Sequence, residues 1–205
     1  KWDMSRAVWA TDLCLLKKDI KAAEDMANQI AQNETTSFWG PYFLGYTAFE
    51  QKQYDRALWM TELALKRQQD FVAGSYLKGQ ILWAQGQYPT AVVTFEKVAD
   101  REPKLTSAKL LLGQVYQRDL DEDKAKKYLT TVLSENSHQA SAWAALGEIA
   151  LRNNKNDEAI DNYERAASQS RQDKRYVTRL AEIYEKVMGN AAKAKRLMAS
   201  VKEKP

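Results

Sequence analysis

A spacing of 34 residues governs this chain. Gly45, Gly79, Gly113 and Gly147 follow one another at that interval, and Ala57, Ala91, Ala125 and Ala159 repeat it, each 12 residues after its glycine. Carried backwards, the register meets Thr11 in place of glycine and then Ala23. Carried forwards, it meets Ala181, whose downstream alanine is Ala194, one residue late, so one residue is inserted before Gly189. Large residues follow the same register. Leu44, Leu112 and Leu146 precede their glycines, Tyr116 and Tyr184 follow the small residue by three, and Phe95, Leu129 and Tyr163 sit four after the alanine. Ala64, Val98, Val132 and Ala166 sit seven after it. A fixed period of this length means that one supersecondary unit is copied along the chain.

The unit must be helical. Only 4 prolines and 8 glycines interrupt 205 residues, and Ala, Leu, Lys, Glu and Gln dominate, a composition that favours helix. A period of 34 leaves room for two helices and two turns. Small residues are needed where antiparallel helix axes approach most closely, since a larger side chain would wedge them apart. That accounts for the glycine on the first helix and the alanine on the second. One hairpin cannot bury its apolar face alone, so neighbours must stack. Gln85-Gly86-Gln87, Met188-Gly189-Asn190 and Asn153-Asn154 read as the breaks between helices.

Pro103 closes one unit, and Trp143-Ala-Ala-Leu146-Gly147 opens another. Together with the glycine–alanine ladder, these residues resemble the tetratricopeptide repeat, with its Trp, Leu-Gly, Tyr, Ala, Phe and Pro at set offsets. The resemblance runs from about residue 4 to residue 203 and is clearest in the middle units. It implies an all-α protein, an α-solenoid wound as a right-handed superhelix of about six stacked hairpins. The repeats would span approximately 4–37, 38–71, 72–105, 106–139, 140–173 and 174–205, as a single array over 1–205. The start, Lys-Trp-Asp-Met, suggests a piece of a larger protein.

In this family a concave groove usually takes peptides. Positions 2, 5, 9 and 12 of each unit share one stripe of the first helix, and the resemblance places that stripe in the groove. The second unit puts Trp39, Tyr42, Tyr46 and Phe49 on it, and the third puts Ala73, Tyr76, Gln80 and Trp83 there. The later units are smaller and more polar: Ser107, Leu110, Gln114 and Gln117, then Ser141, Ala144, Glu148 and Leu151, then Arg175, Thr178, Glu182 and Glu185. Arg118, Arg152, Arg175 and Arg179 stand near that half. Solvated aromatic clusters of this size are costly unless covered, and Trp and Tyr are common interface anchors. The expected function is therefore a protein-interaction or assembly scaffold. Trp39, Tyr42, Tyr46, Phe49, Tyr76 and Trp83 would hold an apolar or proline-containing segment, and Arg118 and Arg152 would meet acidic residues of it. The competing reading makes these rings core, closing the seam between repeats. The Lys, Asn and Arg clamp by which one subclass holds C-terminal carboxylates is absent, because Tyr42, Tyr46, Tyr76 and Gln80 occupy its positions.

Other chemistries find less support. A net charge of +4, from 31 basic and 27 acidic residues of mixed sign, lacks the concentrated basic face of a nucleic-acid binder. Single-stranded RNA binding, the mode of a related 35-residue hairpin family, is the rival from another class. One cysteine, Cys14, excludes an internal disulfide and leans towards the cytoplasm. With one histidine, His138, no zinc cluster can form. No catalytic constellation, cofactor or metal site is expected. The acids Asp119, Asp121, Glu122 and Asp123 suit a helix N-terminus better than a calcium loop. No stretch approaches a membrane span. Leu197, Met198 and Val201 offer an apolar end where a neighbouring domain or a second copy could dock, making a self-associating or regulatory repeat domain the alternative within the same class.

Overall fold

A computed structural model describes residues 2–118, 121–170 and 173–202, without the side chains of the last two. The described residues form twelve helices and no strand. They group into two compact units, Lys1–Lys104 and Leu105–Pro205. The first holds α1 (Met4–Leu16), α2 (Ile20–Asn33), α3 (Trp39–Glu50), α4 (Tyr54–Arg67), α5 (Val72–Ala84) and α6 (Tyr88–Arg101). The second holds α7 (Thr106–Arg118), α8 (Glu122–Glu135), α9 (Ala140–Arg152), α10 (Asn156–Gln169), α11 (Lys174–Lys186) and α12 (Ala191–Lys202). Each unit is three helical hairpins, and within a unit consecutive helices pack on one another.

In five of the hairpins the turn is set by one residue in the left-handed region. Lys18, Lys52 and Gly86 have φ of 58°, 60° and 77°, and Asn154 and Gly189 have 57° and 62°. Lys18, Lys52 and Gly86 are one period apart, and Asn154 is two periods beyond Gly86. The intermediate position, residue 120, lies outside the described residues. Gly189 comes one residue late, where the sequence carries its insertion. The following amide closes each of the regular turns on the helix it has just left: Asp19 N donates to Cys14 O, Gln53 N to Ala48 O, Gln87 N to Leu82 O and Lys155 N to Ala150 O, all at 2.8–2.9 Å. This is the helix-ending motif that satisfies otherwise orphaned carbonyls. Asp19 and Asp121 then cap the next helix, accepting from Ala22 N and Lys124 N at 3.0 and 3.2 Å. Asp121 thereby has a structural role; Asp119 lies outside the described residues.

The repeated glycines sit where the hairpin helices touch. A Cβ on Gly79 would stand 2.5 Å from the Phe95 ring, and one on Gly113 or Gly147 would stand 2.7 Å from Leu129 or Tyr163. On Gly45 it would meet Thr61 Oγ1 at 2.5 Å. In each case the obstructing residue lies 16 positions downstream. The first hairpin inverts the arrangement: Thr11 takes the glycine place, and the residue 16 positions on is the fully buried Ala27. Volume is thus conserved across the contact, as close packing demands. Phe43, Phe95, Leu77 and Ile81 are fully buried in the first unit, Leu112, Leu129, Ile149 and Ile183 in the second. Each such side chain contributes on the order of 1.5–3 kcal/mol by leaving water. At the end of the second unit, Leu197 and Met198 are half-buried against Tyr163, Leu180 and Tyr184 of that unit's own core. The side chain of Val201 lies outside the described residues. None of the described helices is long and apolar enough to cross a membrane.

Candidate partner-binding surface

The aromatic stripe lies entirely in the first unit. α3 carries Trp39, Tyr42, Tyr46 and Phe49, and α5 carries Tyr76 and Trp83; all six are half-buried. The helix α3 is apolar on most of its circumference. Phe43, Leu44, Gly45 and Ala48 take the inner positions, which leaves the four rings as a flanking row.

The six are not equivalent. Trp39 stacks on Phe43, with ring centres 5.6 Å apart and planes 21° apart, and meets Phe71 edge-on at 5.5 Å. Tyr42 also meets Phe71 edge-on, at 4.8 Å. Phe38 completes the group, 4.7 Å from Phe71 and 4.8 Å from Trp39. Such tilted and edge-to-face pairs add to the stability gained by burial alone. Trp39 and Tyr42 therefore help close the seam between the second and third hairpins. Tyr46 and Phe49 lean on the cluster of Ala48, Ala57, Leu77 and Ile81. Tyr76 approaches Phe95 edge-on at 5.9 Å. Phe38 and Phe71 were not part of the sequence-derived stripe. They occupy the first and last positions of one repeat, and the visible signal was only two phenylalanines flanking it.

Burial raises the pKa of Tyr42 to about 12, helped by the neighbouring Tyr46 and Asp12. Tyr46 is shifted upward by burial, then by Glu50 and Tyr76. Neither hydroxyl has a hydrogen-bond partner among the described residues. These shifts bring Asp12 into view. It lies exposed on α1, one period before Tyr46 and in the same stripe, and partial burial pushes its carboxyl pKa upward.

The corresponding stripe of the second unit carries carboxylates, two of which pair with Arg179 beside it. Glu148 lies 2.8 Å from Arg179, and Arg179 lies 2.9 Å from Glu182. Tyr163 donates its hydroxyl to Glu148. Burial works against the Glu148 carboxylate, but Arg179, Tyr163 and the nearby Arg152 together hold its pKa below the usual range. Arg179 is shifted upward, chiefly by its hydrogen bond to Glu148. Arg118 and Arg152 are exposed at the C-terminal ends of α7 and α9. Arg152 donates to Gln117 O at 2.7 Å and lies 3.8 Å from Glu122. Arg175 is engaged by Asp173 at 2.6 Å.

The remaining sequence candidates have local roles. His138 is exposed in a turn, its ring 2.7 Å from Gln169 Oε1. Cys14 is half-buried in α1 with its thiol free. The described residues hold no group of three His, Cys, Asp or Glu side chains placed to bind a metal.

Comparison with known proteins bears on the fold. A family model described as anaphase-promoting complex, cyclosome, subunit 3, matches residues 84–166. No curated protein matches the chain by sequence. Among solved structures, PilW, a widely conserved type IV pilus biogenesis factor, is similar with a TM-score of 0.84 at 16% identity, covering 97% of this chain and 91% of that one. Pseudomonas aeruginosa pilF gives 0.77 at 17% identity over 93% of this chain and 88% of that one. YrrB, a tetratricopeptide-repeat protein with an unusual peptide-binding site, gives 0.66 at 16% identity, over 83% and 88%. Identities this low speak for the fold alone. With the 34-residue ladder and the hairpin geometry, they show an all-α tetratricopeptide-repeat fold of stacked helical hairpins.

Proposed function

We propose that this protein is an interaction scaffold that holds a segment of a partner protein against the aromatic face of α3 and α5. One observation carries the reading. Six rings line one stripe of two neighbouring helices and remain only half-covered by the protein itself. Trp39 and Tyr42 form its rigid base, pinned by Phe71. Tyr46, Phe49, Tyr76 and Trp83 supply adaptable area beside it. A prepacked aromatic floor gives contact area at low entropic cost. Covering two or three such rings would contribute about 3–9 kcal/mol before the costs of association. The peptide-binding site named for YrrB, a protein of similar fold, supports an interaction role. Arg118 and Arg152 belong to the other unit and take no part in this proposal. The reading is of a binding module and calls for no catalytic group.

The test uses peptides selected on the intact chain from a random twelve-residue library. Tyr46→Ala and Tyr76→Ala should each weaken a selected peptide about tenfold by fluorescence polarisation, roughly 1.4 kcal/mol. Binding should also protect Trp39 and Trp83 from iodide quenching, read in single Trp→Phe variants. Unchanged affinity in both tyrosine variants would sink the proposal.

A further inference from the structure

We infer that the segment held on the aromatic face presents an arginine or lysine side chain to Asp12, beside Tyr42. The inference rests on the preceding proposal and specifies the chemistry of the occupant.

Two independent contrasts within the protein support it. The first follows one rung of the repeat. Asp12, Tyr46 and Gln80 occupy equivalent positions in the first unit, as do Gln114, Glu148 and Glu182 in the second. Both Asp12 and Glu148 are carboxylates on that rung. The residue 31 positions after Glu148 is Arg179, which binds it at 2.8 Å. The same step from Asp12 arrives at Phe43, which is fully buried and uncharged. No ion pair or side-chain hydrogen bond engages Asp12 among the described residues. Glu50, beside Tyr46, is equally without a cation. The acid is present in both units, and its base in only one.

The second contrast concerns the rings. In the second unit, Lys124 stands 4.9 Å from the Tyr116 ring centre, Arg165 4.8 Å from Trp143 and Lys193 4.1 Å from Tyr184. The protein covers those aromatic faces with its own cations. Among the described residues, none of the six rings on α3 and α5 carries one. Aromatic faces attract Arg and Lys most strongly where water is excluded, which a docked segment would do. A guest cation would thus meet two unfilled preferences at once, a carboxylate and a ring face. The guest expected here is an apolar segment interrupted by a basic residue.

The same random twelve-residue library tests this on the intact chain. Selected peptides should share an arginine or lysine flanked by apolar residues. Against the Asp12→Lys protein, that position should turn to aspartate or glutamate while the apolar flanks persist. Asp12→Asn should weaken a basic peptide about fivefold and leave its Arg→norleucine analogue unaffected. Asp12 is exposed, so circular dichroism melts should match the parent protein. Peptides that depend on Tyr46 and Tyr76 but show no basic preference, or ignore Asp12→Lys, would overturn this inference and leave the aromatic site standing. Peptides indifferent to the tyrosines would overturn the site itself.

Discussion

The two units are built on one frame but treat the same stripe oppositely. Both set a small residue against a larger one 16 positions away where the hairpin helices meet, with the order inverted in the first hairpin. On the stripe, the first unit sets aromatic rings and leaves Asp12 unpaired. The second sets Glu148 and Glu182 and pairs both with Arg179. The same frame tolerates both fillings. Glu148 and Glu182 are paired within the chain, whereas the rings, the two hydroxyls and Asp12 have no cation or hydrogen-bond partner among the described residues.

The shared frame is where substitution should do most damage. Gly79→Val and Gly147→Val each drive a side chain into an aromatic ring, and each should cost about 1–3 kcal/mol by overpacking. Urea unfolding should show similar losses for the two. A loss confined to one unit would mean that the frames differ after all. Next in size is the effect on partner binding. The pair Tyr46→Ala with Tyr76→Ala should lower affinity about a hundredfold, roughly 2.7 kcal/mol, whereas Arg179→Met should leave it unaltered. Equal sensitivity of both stripes would erase the functional distinction.

A smaller effect distinguishes the units by pH. Arg179→Met should destabilise the protein at neutral pH by about 1 kcal/mol or less, because the Glu148 pair is only partly buried and solvent screens it. The folded-state pKa of Glu148 is lowered, so the pair's contribution is present above the usual carboxylate pKa and disappears as pH falls through the folded value. Thermal melts should show the gap between variant and parent closing in acid. No matching gap should follow Asp12→Asn. The smallest effect is at high pH. The Tyr42 phenol is raised to about 12, so its neutral form stabilises the fold below the ordinary tyrosine pKa. That contribution is lost as pH rises towards 12. A difference titration at 295 nm against Tyr42→Phe should place its ionisation there, and an ordinary midpoint would show the ring to be freely solvated.

Much of this was readable from the ladder of residues. The repeat spacing located every hairpin, the glycines located the close approaches, and the single inserted residue reappears as the displaced left-handed Gly189. The stripe was legible too, since helical geometry alone assigns residues to a face. What the stripe's residues touch was not. Asp12 is one period before Tyr46, but it lies in the first repeat, which departs most from the pattern. Phe71, which pins Trp39 and Tyr42, lies at a repeat boundary where the pattern specifies nothing.

The sequence by itself therefore determined the frame, because the separation of two helices depends on side-chain volumes at fixed local offsets, and those recur in every copy. Only the tertiary structure decided which groups were already satisfied. That Trp39 and Tyr42 are half committed to the seam, that Arg152 is held by Gln117, and that Glu148 has a cation while Asp12 has none all depend on residues some 30 positions away in the neighbouring hairpin. Those residues differ from copy to copy, and charge pairing and ring contact are set by their identity rather than by the period.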